Sequence, residues 1–147
     1  MSAPGRPRLG RLVHPVGFGA MALSLSRRPP ADEALAALLA AIDAGAALID
    51  TADAYCLDDT EAGHSERLVA AARRARPHVL VATKGGFTRP RGRWVLDASP
   101  AHLHRSCEQS LQALGVEAID LYQLHRPDAR VPFAESVGAL CELRAAG

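Results

Sequence analysis

Three short apolar runs in this chain each end on a polar side chain of a different chemical type. The first, Leu48-Ile49, stops at the carboxylate of Asp50. The second, Val79 to Thr83, stops at the ammonium of Lys84. The third, Ile119 to Leu124, stops at the imidazole of His125. A charge at the end of a buried strand is costly unless it is paired, so Lys84 is the expected partner of Asp50. Tyr55 follows the first run by five residues.

Helical signatures lie between these runs. Leu35, Leu38, Leu39 and Ile42 fall at i, i+3, i+4 and i+7, one face of a helix, with Asp32 as a candidate cap and Gly45 as a stop. Ser65 to Arg76 reads as a helix with Leu68, Val69 and Ala72 inward, ended by Pro77. Ser99-Pro100 is a cap followed by proline at the first helical position; Leu103, Cys107, Leu111 and Leu114 mark that helix's buried face and Gly115 closes it. A last helix carries Phe133, Val137, Leu140 and Cys141 inward. The expected strands are Val16–Met21, running into a glycine turn, then 47–50, 79–83 and 119–124. Thr88 to Asp97, with proline, glycine and three arginines, reads as a long loop, and residues 1–15 as a flexible arm. The order is βαβαβαβα. Near-continuous apolar strands alternating with helices imply an α/β fold with a parallel, helix-covered sheet.

Composition excludes several function classes. A net charge of +1 gives no electrostatic case for nucleic acid or a membrane surface. No apolar run approaches the roughly 20 residues of a membrane helix, and no apolar stretch follows the basic N-terminus as in a signal peptide. The three cysteines, Cys56, Cys107 and Cys141, share no metal-ligand spacing, so reduced thiols in a cytoplasmic protein are the expectation, with no metal site. Of 17 basic side chains, 16 are arginine, and Lys84 is the only lysine. Lysine differs from arginine in being a compact point charge with a movable pKa.

In a β/α barrel, functional groups gather at the C-terminal ends of the strands. Asp50, Lys84 and His125 hold that position on three successive strands, with Tyr55 in the loop after the first. A tyrosine is a poor acid near neutrality, with a reference pKa of about 10, and a neighbouring cation eases its proton transfer. Lys84 suits that cation, Asp50 suits its partner, and His125 suits a hydrogen bond to a substrate oxygen. Such a set protonates an oxygen while something else attacks its carbon, as in carbonyl reduction by hydride. Taken singly, each has a plain structural reading: Asp50 as a turn cap, Tyr55 as packed aromatic, Lys84 as a solvated strand end, His125 as a core or loop histidine. The constellation is what favours chemistry.

Five segments resemble the aldo-keto reductase family in order: Gly17-Phe18-Gly19-Ala20-Met21, Ile49-Asp50-Thr51-Ala52-Asp53-Ala54-Tyr55, Gly63-His64-Ser65-Glu66, Ala82-Thr83-Lys84-Gly85-Gly86 and Ile119 to Asp128. The detail is most similar to bacterial members of the group that includes pyridoxal reductases and potassium-channel β subunits. The resemblance implies a (β/α)8 TIM barrel that reduces aldehydes or ketones with NADPH. It implies Tyr55 as general acid, Lys84 and Asp50 as the groups that tune it, and His125 as the residue that positions the carbonyl. Gly19, Ala20, Met21 and Asp50 would lie against the cofactor, and Trp94 would line the substrate pocket. Cys56 stands where the family has glycine.

A β/α barrel takes about 250 residues, and this chain of 147 supplies four β/α units, read as 16–147. The expectation is the N-terminal half of a reductase barrel, truncated before the fifth strand, whose open edges and inner face call for a homo-oligomer or for a missing C-terminal half. Two other readings are a catalytically inactive half-barrel serving binding, regulation or assembly, and a four-stranded flavodoxin-like domain. The latter fits less well, because Gly19–Leu25 makes a poor phosphate loop.

Overall fold

The computed structural model describes residues 16–147; the expected arm at 1–15 lies outside them. Four strands run parallel in the order β1 (Phe18–Gly19), β2 (Leu48–Asp50), β3 (Leu80–Gly85) and β6 (Leu121–Leu124). Helices α1 (Ala31–Asp43), α2 (His64–Ala75) and α3 (Pro100–Leu114) connect them, and α4 (Phe133–Ala146) follows β6. A separate antiparallel hairpin, β4 (Phe87–Thr88) with β5 (Val95–Leu96), stands between β3 and α3.

Alternation along the strands sorts their side chains to two faces. Ile49 and Val81 join Leu38 and Ile42 of α1, Val69 and Ala72 of α2, and Leu114 of α3 in one core, all at most 3% exposed. Helices therefore cover one face of the sheet. Asp50, Lys84 and Gln123 point to the other face, where register pairs Asp50 with Gly19 and with Ala82, and Lys84 with Gln123. One layer is a packed core and the other carries the polar groups.

Several expected boundaries change for local reasons. The first strand is only Phe18–Gly19, since Met21–Leu23 turns into a 3-10 helix and Ala20 N–H donates to the Asp50 carbonyl at 2.8 Å. β3 runs to Gly85 because β6 keeps pairing with it, Gly85 opposite Leu124, so Lys84 lies within the strand. β6 starts two residues late: the Asp120 carboxylate takes the Val81 N–H at 3.0 Å and Arg73 at 3.2 Å. Asp32 does not cap α1. Pro30 holds the cap position, and Asp32 lies in the first turn, where the helix dipole favours an acid. Ser99 does cap α3, accepting from His102 N–H at 3.3 Å.

Two corrections are larger. The 88–97 segment is not a structureless loop but includes the β4–β5 hairpin, with a 3-10 turn at Pro90–Gly92 in which Arg91 takes a left-handed φ of 52°. The inward face of α4 consists of Ser136 and Ala139, with Val137 and Leu140 half-buried, while Phe133 and Cys141 are exposed. Ser136 donates to the Ala98 carbonyl at 2.8 Å, so a polar anchor sets the rotation of this helix.

Leu38 is fully buried at the centre of the helix-facing core. Leu38→Ala removes packed methyl groups and leaves a cavity, so stability should fall by about 2–5 kcal/mol. Urea denaturation of both proteins gives this difference directly.

Candidate active site

Strand ends place the site. Asp50 closes β2, Lys84 lies near the end of β3, and His125 directly follows β6, where its N–H donates to the Gly85 carbonyl at 2.9 Å. Parallel strands present these ends side by side. Lys84 Nζ donates to Asp50 Oδ1 at 2.5 Å and to the Thr51 carbonyl at 2.7 Å, and it lies 3.3 Å from the Tyr55 hydroxyl. The ammonium also stands 4.9 Å from the Tyr55 ring centre. The structure thus brings together all four residues singled out from the strand pattern.

His125 completes the group from the side. Its ring centre is 5.6 Å from that of Tyr55 and perpendicular to it. Burial, then the Lys84 ammonium, pushes the imidazole down to about 4, with Asp50 opposing. The ring is therefore neutral near pH 7, and its Nδ1 is buried without a partner. A neutral imidazole carries one N–H donor, and that suits it to hold a carbonyl oxygen.

Trp94 stands 6.4 Å from Tyr55 and 6.2 Å from His125, ring centre to ring centre. The β4–β5 hairpin carries it there. Phe87 packs between them, 4.9 Å from His125 and 5.2 Å from Trp94. The four rings meet edge-on, and Phe87 and Trp94 among them form an apolar wall beside Tyr55 and His125. Phe87 was not foreseen from sequence; a phenylalanine directly after the glycine pair Gly85-Gly86 was its only signal. Gly19 has open space on its Cα, Met21 is 47% exposed, and Ala20 is fully buried. Gln123 carries a buried side-chain oxygen without a partner, on the same sheet face as Lys84. The open space at Gly19 on β1 suits a flat group such as a nicotinamide ring, whereas Gln123, on the opposite edge strand β6, is a separate unpaired oxygen. Among the described residues, no set of three His, Cys, Asp or Glu side chains is placed to hold a metal.

A second layer, also missed from sequence, fixes the Tyr55 loop. Asp53 Oδ1 accepts the Ala54 N–H at 2.6 Å, and Oδ2 accepts from Ser106 of α3. Tyr122 of β6 donates to the same Ser106 hydroxyl at 3.1 Å. Glu66 of α2 accepts from Thr83 at 2.6 Å, and Thr51 bonds Ser65 at 2.8 Å. Burial raises the Glu66 carboxyl and pushes that of Asp53 up to about 7. Cys56, beside Tyr55, is wholly buried, and burial pushes its thiol up to about 11, so it is an unreactive packing group at neutral pH.

The chain belongs to the aldo/keto reductase family, whose sequence model matches residues 15–147. It is similar to 6-dehydroglucose reductase of Novosphingobium aromaticivorans, 38% identical over 124 residues, covering 81% of this chain and 40% of the relative. A probable aldo-keto reductase of Glycine max is 35% identical over 136 residues, covering 89% of this chain and 38% of the relative. Among solved structures, an aldo-keto reductase from Bacillus halodurans in its holo form is 31% identical, with a TM-score of 0.75 over 90% of this chain and 42% of that one. A glycerol dehydrogenase from Gluconobacter oxydans is 34% identical, with a TM-score of 0.76 over 89% of this chain and 41% of that one. The chain therefore spans about two fifths of the curated relatives it matches, and its four-stranded parallel sheet corresponds to part of a (β/α)8 barrel.

A carboxyl with a raised folded-state pKa favours folding in its protonated form. The Asp53 contribution is complete below the unfolded carboxylate range, near 3.9, and is lost as pH rises through about 7. The Asp53 contribution alone therefore declines across that window with a slope approaching about 1.4 kcal/mol per pH unit, while His125, lowered to about 4, contributes an opposing rise up to the unfolded histidine range. Asp53→Asn should remove the falling part, so the difference in stability between the two proteins changes with pH by that slope; urea midpoints at intervals from pH 4 to pH 8 measure it.

Proposed function

We propose that this chain carries the proton-transfer centre of an NADPH-dependent oxidoreductase that reduces an aldehyde or ketone to an alcohol. The observation that carries this reading is the Lys84 ammonium held between Asp50 at 2.5 Å and the Tyr55 hydroxyl at 3.3 Å. Reduced nicotinamide, when bound, supplies the hydride that such a reaction needs. Tyr55 then donates its phenolic proton to the carbonyl oxygen. Lys84 stabilises the phenolate left behind, and Asp50 with the Thr51 carbonyl holds Lys84 in place. His125, neutral, donates one hydrogen bond to the carbonyl oxygen and orients it toward Tyr55. Trp94 and Phe87 give the substrate an apolar wall. Gly19, Ala20, Met21 and Asp50 are the residues expected to lie against the cofactor, as the family likeness implies.

The choice of NADPH over NADH rests on the family likeness. A small carbonyl compound is the expected partner and the cytoplasm the expected location. The similarity to 6-dehydroglucose reductase and to a glycerol dehydrogenase supports alcohol–carbonyl chemistry. Among the described residues, no helix is long and apolar enough to cross a membrane.

Tyr55→Phe removes the proton donor and leaves the ring. Aldehyde-dependent oxidation of NADPH should fall by about 10²–10⁴-fold, with cofactor binding retained. Binding without turnover in the unaltered chain would instead favour an inactive, cofactor-holding role. Because His125 titrates near 4, kcat/KM should show no histidine inflection between pH 5 and 8. A step in that range that disappears in His125→Asn would contradict the neutral-imidazole role.

A further inference from the structure

We propose that Arg89 is a binding residue for a carboxylate group on the carbonyl substrate. The inference rests on the reductase reading and deepens it. Arg89 is only 7% exposed, yet its Nε and Nη1 are buried without any hydrogen-bond partner. Only Nη2 is engaged, donating to the Leu57 carbonyl at 3.1 Å. Other inward arginines of this chain are matched with acids. Arg28 forks onto Glu61 at 2.7 and 2.9 Å, and Arg73 reaches Asp120 at 3.2 Å. Among the described residues, Arg89 has no carboxylate within ion-pair distance. The Asp59 carboxylate takes the backbone N–H of Arg89 at 2.6 Å instead. A buried guanidinium with open donors is a costly arrangement unless an anion completes it.

Position selects which anion. The Arg89 guanidinium lies 4.1 Å over the Trp94 ring. The same indole stands 6.4 Å from Tyr55 and 6.2 Å from His125. Trp94 is 43% exposed and is in contact both with Arg89 and with the rings of Tyr55 and His125. Exposed side chains change rotamer on a fast timescale. Turning the indole aside would open the Arg89 guanidinium to the space that the Trp94 ring now fills. Nε–H and Nη1 belong to opposite edges of the guanidinium, so a carboxylate would take one edge, with one open N–H and the full positive charge behind it. The rival role is a strut, with Arg89 merely holding the indole by a cation–π contact.

Trp94 is the only tryptophan in the chain, so its fluorescence reports on Arg89 without turnover. The test titrates the chain with succinic semialdehyde and with butanal, at constant chloride ionic strength. The expected result is a saturating Trp94 response with at least tenfold tighter binding of the carboxylated aldehyde. Arg89→Met should erase that preference and Arg89→Lys should restore part of it. Circular dichroism checks that each variant is folded, and the comparison of two aldehydes on the unaltered chain needs no variant. Equal responses to both aldehydes, a response that chloride alone reproduces, or a preference that survives Arg89→Met would overturn the proposal. Turnover is scored separately with NADPH. Tyr55-dependent reduction of both aldehydes at equal kcat/KM would leave the reductase reading standing and remove the carboxylate site. Absence of reduction would count against the reductase reading, while the fluorescence comparison would still decide Arg89.

Discussion

One ammonium ion organises this structure. Lys84 Nζ touches three groups from one segment, Asp50, the Thr51 carbonyl and the Tyr55 hydroxyl. Removing it would strand a carboxylate and a backbone carbonyl at the end of β2. Their mutual arrangement depends on the cation, and the cation's position depends on β3 being held between β2 and β6. Packing on the helix side sets that register through Ile49 and Val81. The apolar core therefore fixes the polar group at the opposite face, because alternation along a strand couples one face to the other.

The loop carrying Tyr55 is held from beneath by a different kind of force. Asp53, Ser106 and Tyr122 bond one another across three elements, and Glu66 with Thr83 ties α2 to β3. These groups are buried, so each hydrogen bond is made in surroundings where an unmade one is expensive. The result is a stiff floor under the loop that brings Tyr55 to Lys84. The aromatic wall on the other side is looser. Trp94 and Met21 remain exposed, so this side of the polar group is the adaptable one.

Much of this was legible in the sequence because it follows from periodicity. The helices over 31–43, 64–75 and 100–114 and the strand ends at Asp50, Lys84 and His125 came from apolar spacing and from where the runs stop. What escaped was what periodicity does not encode. The β4 and β5 strands are two residues each, too short to alternate, and the prolines and glycines around them read as loop. Hydrophobicity alone puts Phe133 inside, whereas the Ser136 hydrogen bond to Ala98 turns α4 the other way. Asp53, Ser106 and Tyr122 are ordinary polar residues in sequence; only the fold shows that they share one buried site. Arg89 is one of three arginines in a short stretch, and nothing but burial separates it from Arg91 and Arg93.

The lone lysine has a practical consequence. A protease that cuts only after lysine has one target in the whole chain, the Lys84–Gly85 bond. That bond lies within β3, paired with Gln123 and Leu124 of β6 on one side and met on the other by the Asp53 N–H, which donates to the Lys84 carbonyl at 3.4 Å, and its lysine is folded onto Asp50. Such a protease cannot engage it while the sheet is closed. The rate at which the chain is split into two fragments is therefore a direct gauge of how often β3 comes free of its neighbours.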